Sequence, residues 1–272
     1  MGEVGEMIDL HSHILHGLDD GARSLEESLR MCEIGYRDGI RTIVATPHTL
    51  NGVYQNNRST ILAKVKELNT ALEESHFPMD KRLNERALRS KYAIRSSKTE
   101  KALTILPGAD VHLCQEMLSQ LDEGKVTTIG DGGKSLLIEF PSQRIPYEAE
   151  EVLLQLIERG VIPVITHPER NMDVLQRPQR YHEMIRMGCL GQVTATSLTG
   201  GFGPEARQLA EQLLKHRLLH VIASDAHSTN GRSPVLTSAV EAAEKIVGKE
   251  EAWRMVTEYP QAILEGRRPD VL

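Results

Sequence analysis

Short runs of β-branched and aliphatic residues alternate along this 272-residue chain with longer stretches whose apolar positions recur every three or four residues. Runs at 7–10, 41–45, 103–108, 135–140, 161–166, 190–194 and 219–223 predict seven strands. Most are apolar throughout instead of alternating, the pattern of parallel strands covered on both faces. The stretches between them read as amphipathic helices, so a repeated βα unit accounts for the order. The first helix has the clearest start: Ser24 is placed to cap it, Glu27 completes a capping box, and Gly39 supplies the stop. Leu25, Leu29, Cys32 and Tyr36 mark its buried face, and Ile61, Val65, Leu68 and Leu72 mark the next. Val152, Leu153, Leu156 and Ile157, closed by Gly160, form a third stripe. Leu209 with Leu213, and Ala239, Val240, Ala243 and Val247, suggest two more. All are expected in the core.

One segment interrupts the alternation. Residues 78–101 carry eight Lys/Arg against three Asp/Glu, a balance of +5 in a chain whose total is −6. The expectation is one domain over 7–266 with a basic helical insertion at about 76–101. That insertion reads either as a solvated helix or as a flap that attracts an anionic substrate to the mouth of the site.

Composition narrows the function. A 40% hydrophobic, 26% charged chain can bury a sizeable core, and a pI near 6.0 with 4% aromatics argues against general nucleic-acid binding. Cys32, Cys114 and Cys189 are 75 to 82 residues apart, which suits reduced thiols. None has an arginine six positions later, so a cysteine–arginine phosphatase loop is absent. Residues 1–7 have neither the basic nor the apolar region of a secretory leader, and no stretch approaches 18 apolar residues. A cytoplasmic protein is expected. Asp131-Gly132-Gly133-Lys134-Ser135 mimics the tail of a P-loop, but Thr128 replaces the earlier glycine and the segment precedes a strand, so it reads as a turn.

The chemistry sits at the strand ends. His11-Ser12-His13 lies at the end of the first strand, where two imidazoles one residue apart share a side. Other ends carry Thr46-Pro47-His48, Gly108-Ala109-Asp110, Ile138-Glu139, Thr166-His167-Pro168-Glu169-Arg170 and Ala223-Ser224-Asp225-Ala226-His227. In a parallel barrel all strand C-termini open on one face, so these residues would converge. Mixed imidazoles and carboxylates suit Mn, Fe or Zn better than Ca, and the absence of cysteine ligands disfavours a closed structural zinc site. Two or three cations there could activate water and polarise an ester. Phosphate-ester hydrolysis follows, with a metal-dependent amidohydrolase open on the same residues. His16 and His112 lie near enough to merit attention, and Ser197 reads as structural.

These motifs, with Leu18-Asp19-Asp20-Gly21 and the run 193–200, closely resemble the polymerase and histidinol phosphatase (PHP) superfamily over residues 7–264. Within it, the chain looks most like the metal-dependent tyrosine-protein phosphatases encoded with bacterial capsule and exopolysaccharide machinery. The resemblance implies a single distorted seven-stranded (β/α)7 TIM-like barrel with two or three divalent transition metals, Mn2+ favoured and Fe or Zn possible. It assigns His11, His13, Asp110 and Asp225 to one metal and makes Asp110 the bridge to a second, completed by Glu139 and His167. Asp20, His48 and His227 form the third set, with Asp19 as an alternative carboxylate. Asp110 stands where the family usually has glutamate. Arg170 and Arg232 match positions that hold the substrate phosphate, a task suited to the bidentate guanidinium. The implied partner is a tyrosine-phosphorylated protein tail of a bacterial tyrosine kinase, and the implied role is regulation of capsule or exopolysaccharide synthesis. Two alternatives are a small-molecule phosphoesterase such as a histidinol-phosphate phosphatase, and a non-catalytic metal-binding regulatory protein.

Overall fold

Each expected strand forms, and two short ones are added. In chain order they are β1 (Met7–Ser12), β2 (Ile40–Ala45), β3 (His48–Thr49), β4 (Thr104–Pro107), β5 (Asp110–His112), β6 (Ser135–Glu139), β7 (Ile162–Thr166), β8 (Leu190–Thr194) and β9 (Val221–Ala223). The structure, a computed structural model, describes residues 6–75 and 102–270. The basic segment expected at 76–101 lies outside the described residues.

All ladders are parallel, in the orders β1-β2-β4 and β3-β5-β6-β7-β8-β9. β3 and β5 prolong β2 and β4 past a break, so the nine segments act as seven staves. At the first break Pro47 has no N–H to give the ladder, and its carbonyl instead accepts the Asp110 N–H at 3.2 Å. At the second break Gly108 permits a close approach, since a Cβ there would lie 2.7 Å from Val44 Cγ1. The ring closes at its C-terminal mouth, where Ser12 bridges Ala226 and the His13 N–H donates to the Ala226 carbonyl at 2.8 Å. At the other end β1 and β9 splay apart. The Val256 and Met255 carbonyls accept from Ile8 N–H (2.8 Å) and Ile222 N–H (3.1 Å) there. The barrel is therefore closed around the site and distorted below it.

Ile8, Leu10, Val44, Leu137, Val164, Leu190 and Val221 pack together in the barrel interior. A larger apolar layer lies between strands and helices, among them α1 (Leu25–Asp38) and α2 (Arg58–Glu74). Ser24 Oγ accepts the Glu27 N–H at 3.2 Å as expected, but the Glu27 carboxylate reaches the Arg23 N–H (3.0 Å) and not that of Ser24. The buried stripe of α1 is also rotated from the expected one. Ser28, Met31, Cys32, Gly35 and Tyr36 are inside, and Leu25 and Leu29 are half-buried. The other stripes form as read, except that Ile157 and Val247 stay half-buried.

An extra rung joins β8 to the residue before β9. His220 N–H donates to the Gly191 carbonyl at 2.8 Å, and the His220 ring accepts the Gly191 N–H on Nδ1 at 3.0 Å. Acceptance requires a bare Nδ1, and burial pushes the ring pKa down from 6.5 to about 4. With a folded pKa below the unfolded one, this stabilisation is complete above 6.5 and is lost as pH falls toward 4. At pH 5 the loss should be on the order of 2 kcal/mol. His220→Asn keeps an acceptor that does not titrate, so its urea-unfolding stability should fall less between pH 7 and pH 5 than the wild type's. Equal pH slopes would contradict this origin.

Candidate metal centre

The inner phase of each stave leads to the mouth. Two residues beyond Leu137 stands Glu139, and two beyond Leu190 stands Gln192. On β7 the inner phase of Val164 falls on Thr166, and His167 turns in through left-handed backbone (φ 34°). On β1, with Ile8 and Leu10 inside, strict alternation would turn His11 out. The register of β1 against β2 slips between Asp9 and Ser12, where three steps on β1 face two on β2 (Asp9 opposite Ile43, Ser12 opposite Ala45). The inserted residue re-aims the strand end, as bulges do, and His11 and His13 enter the cavity.

The sequence-predicted residues meet there. His11 Nε2 lies 3.6 Å from Asp110 Oδ2 and 3.5 Å from Asp225 Oδ1. His13 Nε2 lies 3.1 Å from His11 Nε2 and 3.4 Å from Asp225 Oδ1. His48 Nδ1 is 3.3 Å from Asp110 Oδ2 and 3.4 Å from Glu139 Oε2, while its Nε2 is 3.7 Å from Asp20 Oδ1. His227 Nε2 is 3.4 Å from the same Asp20 oxygen. His167 Nε2 stands 4.0 Å from Asp110 Oδ2 and 3.7 Å from Glu139 Oε1. Three overlapping sets can each present ligand atoms to one ion: His11, His13 and Asp110; His48, Asp110 and Glu139; and His13, Asp20, His48 and His227. The partition differs from the expected one in that His13 and His48 each serve two sets, and His167 stands beside the second. Asp225 belongs to none of the three, its Oδ1 lying beside His11 and its Oδ2 held by arginines.

The donor set fits cations. Asp19 Oδ2 accepts the His13 Nδ1–H at 2.7 Å, Gln192 Oε1 accepts from His11 Nδ1 at 2.9 Å, and the Asp225 carbonyl accepts from His227 Nδ1 at 3.0 Å. Each ring thereby turns its Nε2 toward the cavity, bare in neutral His11 and His227 and available on His13 once a cation displaces its proton. This is the arrangement outer acceptors give to metal-binding histidines. Asp110 Oδ2 and His48 Nδ1 are buried without a well-aligned hydrogen bond in the protein. Asp19 also accepts from the Gly21 and His48 N–H groups, so it braces the site from behind while Asp20 faces it. Despite its shorter reach than glutamate, Asp110 comes within 4.0 Å of three imidazoles.

Charge is tightly held. Burial opposes protonation of His48, yet the Asp110 and Glu139 carboxylates raise it to about 11. Burial likewise opposes charge on His13, and Asp19 raises it to about 9. Burial and Arg170 push His167 down to about 3. Against its burial, Asp225 is drawn well below the carboxylate range by Arg170 and the neighbouring imidazoles. His167 (φ 34°) and Asp225 (φ 50°) both adopt left-handed backbone, strain tolerated where neighbours over-determine the conformation.

Arg170 Nη2 and Arg232 Nη2 both donate to Asp225 Oδ2, at 2.8 and 2.7 Å. Both guanidiniums also lie over the Phe202 ring, 4.6 and 5.5 Å from its centroid. They border a cleft of about 250 Å3 with Asp20, His48, Glu139 and His167. Ser197 is structural as expected: its hydroxyl donates to buried Glu169 at 2.6 Å, tying the 167–170 turn to the end of β8. Cys32 and Cys189 are buried and Cys114 is half-buried, and burial raises all three thiols. His16 pairs with Lys64 (2.9 Å), whereas His112 reaches the edge of the site, 3.5 Å from Glu139. Gln192 and Phe202 are absent from the sequence-predicted set. A polar amide inside the run 190–194 is the signal that could have found the first.

The chain matches the family described as capsular polysaccharide synthesis, CpsB/CapC, over residues 7–85 and 79–265. It is 33% identical over 261 residues to the tyrosine-protein phosphatase YwqE of Bacillus subtilis, covering 96% of this chain and 92% of that one. With the tyrosine-protein phosphatase CpsB of Streptococcus agalactiae it shares 30% identity over 264 residues, 95% of this chain and 98% of the relative. A solved structure from work on YwqE of Bacillus subtilis and CpsB of Streptococcus pneumoniae, described as unique metal-dependent tyrosine phosphatases, superposes with a TM-score of 0.84 at 32% identity. It covers 96% of this chain and 95% of the other. Among the described residues no helix is long and apolar enough to cross a membrane.

Proposed function

The chain belongs to the CpsB/CapC family of capsular polysaccharide synthesis proteins, and from that premise we propose that it is a metal-dependent protein-tyrosine phosphatase. Its substrate on this reading is a phosphotyrosine-bearing protein tail of a bacterial tyrosine kinase, its setting the cytoplasm, and its role the regulation of capsule or exopolysaccharide synthesis. Residues 7–266 act as one catalytic unit. One observation carries the reading: imidazoles and carboxylates with bare inward atoms share a mouth with two guanidiniums.

His11, His13, Asp20, His48, Asp110, Glu139, His167, Asp225 and His227 would hold two or three divalent cations, Mn2+ first among them. Bound there, the cations would supply positive charge to phosphoryl oxygens and lower the pKa of water. Asp19, Gln192 and the Asp225 carbonyl keep three rings in the tautomer that ligates. Arg170 and Arg232 take the outer phosphate oxygens, replacing part of their contact with Asp225. A tyrosine leaving group, with a pKa of about 10, departs as phenolate with less acid assistance than an alkyl alcohol needs.

The test is phosphate release from a phosphotyrosine peptide set against histidinol phosphate, before and after alkylation of the thiols. The peptide should be the better substrate, and alkylation should leave turnover largely intact. A clear preference for histidinol phosphate would move the protein to the small-molecule class. Loss of turnover on alkylation, with metal content and fold intact, would overturn the cysteine-independent chemistry.

A further inference from the structure

The cleft at the metal centre, about 250 Å3, is smaller than the ~300–1,000 Å3 typical of sites that enclose a whole ligand. It has room for a phosphoryl group and part of a ring. Residues on either side of a phosphotyrosine must therefore lie elsewhere, and a second, larger depression of about 650 Å3 adjoins it. The two share a ridge. Phe140 and Ser142 line the cleft, whereas Pro141 between them lines the groove. Glu139 of the cleft lies 3.5 Å from His112 of the groove.

The ridge is built, not draped. Asn171 Nδ2 donates to the Pro141 carbonyl (2.8 Å), the Met172 N–H donates to the Ser142 carbonyl (3.0 Å), and the Ile145 N–H donates to Asp173 Oδ2 (3.0 Å). Along this pinned segment the groove presents side chains that nothing in the fold uses. Tyr147 is 97% exposed, and Met172 and Leu175, beside groove-lining Asp173 and Arg177, are among the few large apolar side chains left exposed. The groove's other arginines are engaged, Arg177 with Asp173 (2.7 Å) and Arg180 with Glu150 (2.5 Å). Arg144 is exposed and has no ion pair among the described residues. In the chain it stands three residues from Pro141 of the ridge, between that residue and Tyr147. The groove's unpaired carboxylate, Glu148, follows Tyr147 in the chain and adds to the field on Arg180.

We propose that this groove is the subsite for the polypeptide flanking the phosphotyrosine, and that it favours a chain with an acidic side chain near the phosphorylated residue. The inference rests on the phosphotyrosine reading and adds the surface that distinguishes a protein tail from a small aryl phosphate. Tyr147 offers a flat amphipathic face to the extended chain, and Arg144 supplies the cation for its carboxylate. Continuity with the cleft and the unpaired charge identify this occupant.

Three substrates test it: a phosphotyrosine peptide with aspartate two residues away, the same peptide with asparagine, and p-nitrophenyl phosphate. Arg144→Ala should lower kcat/KM about three- to fivefold for the aspartate peptide alone, and Arg144→Glu about tenfold. Raising salt should shrink both effects. Tyr147→Ala should lower both peptides about five- to tenfold and leave p-nitrophenyl phosphate within about twofold. Equal losses on all three substrates, or unchanged peptide kinetics, would overturn the subsite. A wild-type dimer that Tyr147→Ala dissociates in sedimentation would give the face to a second copy and also overturn it. A wild-type protein that hydrolyses none of the three would reject the phosphatase reading and this inference together.

Discussion

Asp110→Asn should lower kcat/KM by at least about a thousand-fold, an effect on the order of 4 kcal/mol at the transition state. The side chain is fully buried, so an isosteric amide preserves its volume while removing one of the charges that gather the imidazoles. Its Oδ2 lies within 4.0 Å of His11, His48 and His167 and has no well-aligned hydrogen bond. Two of the three ligand sets contain it, so an amide there weakens two cation positions at once. His48→Ala should act in the same direction, because that ring spans the second and third sets. Elemental analysis of each purified variant, paired with kinetics and a thermal melt, separates site loss from unfolding. Full metal content together with wild-type turnover in Asp110→Asn would remove the bridging assignment. Chelation of the wild type should abolish turnover, and added Mn2+ should restore it.

The residues that sequence alone brought into view are those whose position depends on strand periodicity. His11, His48, Asp110, Glu139, His167 and Asp225 follow apolar runs, and a parallel barrel delivers every such end to one face. What stayed hidden depends on side-chain direction and on distant partners. Gln192 acquires its role from a ring 181 residues away, and Asp19 is distinguished from Asp20 by which of them accepts from the outer nitrogen, Nδ1, of His13. The bulge in β1 is equally invisible, because an H-x-H pair reads the same in either phase. β3 and β5 have two and three residues, too short to leave a periodic trace. Phe202 lies just after a Gly-Gly pair, where an isolated aromatic reads as loop, and only the fold puts two guanidiniums against it. The capping box moved by one residue for a related reason, since a flexible glutamate takes whichever free N–H its rotamer reaches.

Removing Arg170 or Arg232 should separate phosphate recognition from cation binding. Each alanine variant should lose roughly 10- to 1,000-fold in kcat/KM, the range for a charged hydrogen bond made at the transition state. Metal content should persist, because neither guanidinium is a ligand, although both neutralise Asp225 and its field will change. Lysine at either position keeps the charge but loses the planar fork and the stack on Phe202, so Arg170→Lys should recover only part of the loss. The KM and kcat split carries the mechanism. A contact already made to bound substrate appears in KM, whereas one that strengthens as charge develops lowers kcat and kcat/KM together. Inorganic phosphate supplies a readout apart from turnover, since its binding to the metal-loaded enzyme should weaken in both variants. Phe202 sharpens the test. Two like charges held over one ring depend on it for their orientation, so Phe202→Ala should cost about 5- to 30-fold, equivalent to one stacked cation or two at ~1 kcal/mol each. Phe202→Tyr should restore most of that loss, because the aromatic face survives. If both arginine variants bound phosphate and turned over substrate like the wild type, the cleft's anion site would lie elsewhere, and Phe202 would revert to packing.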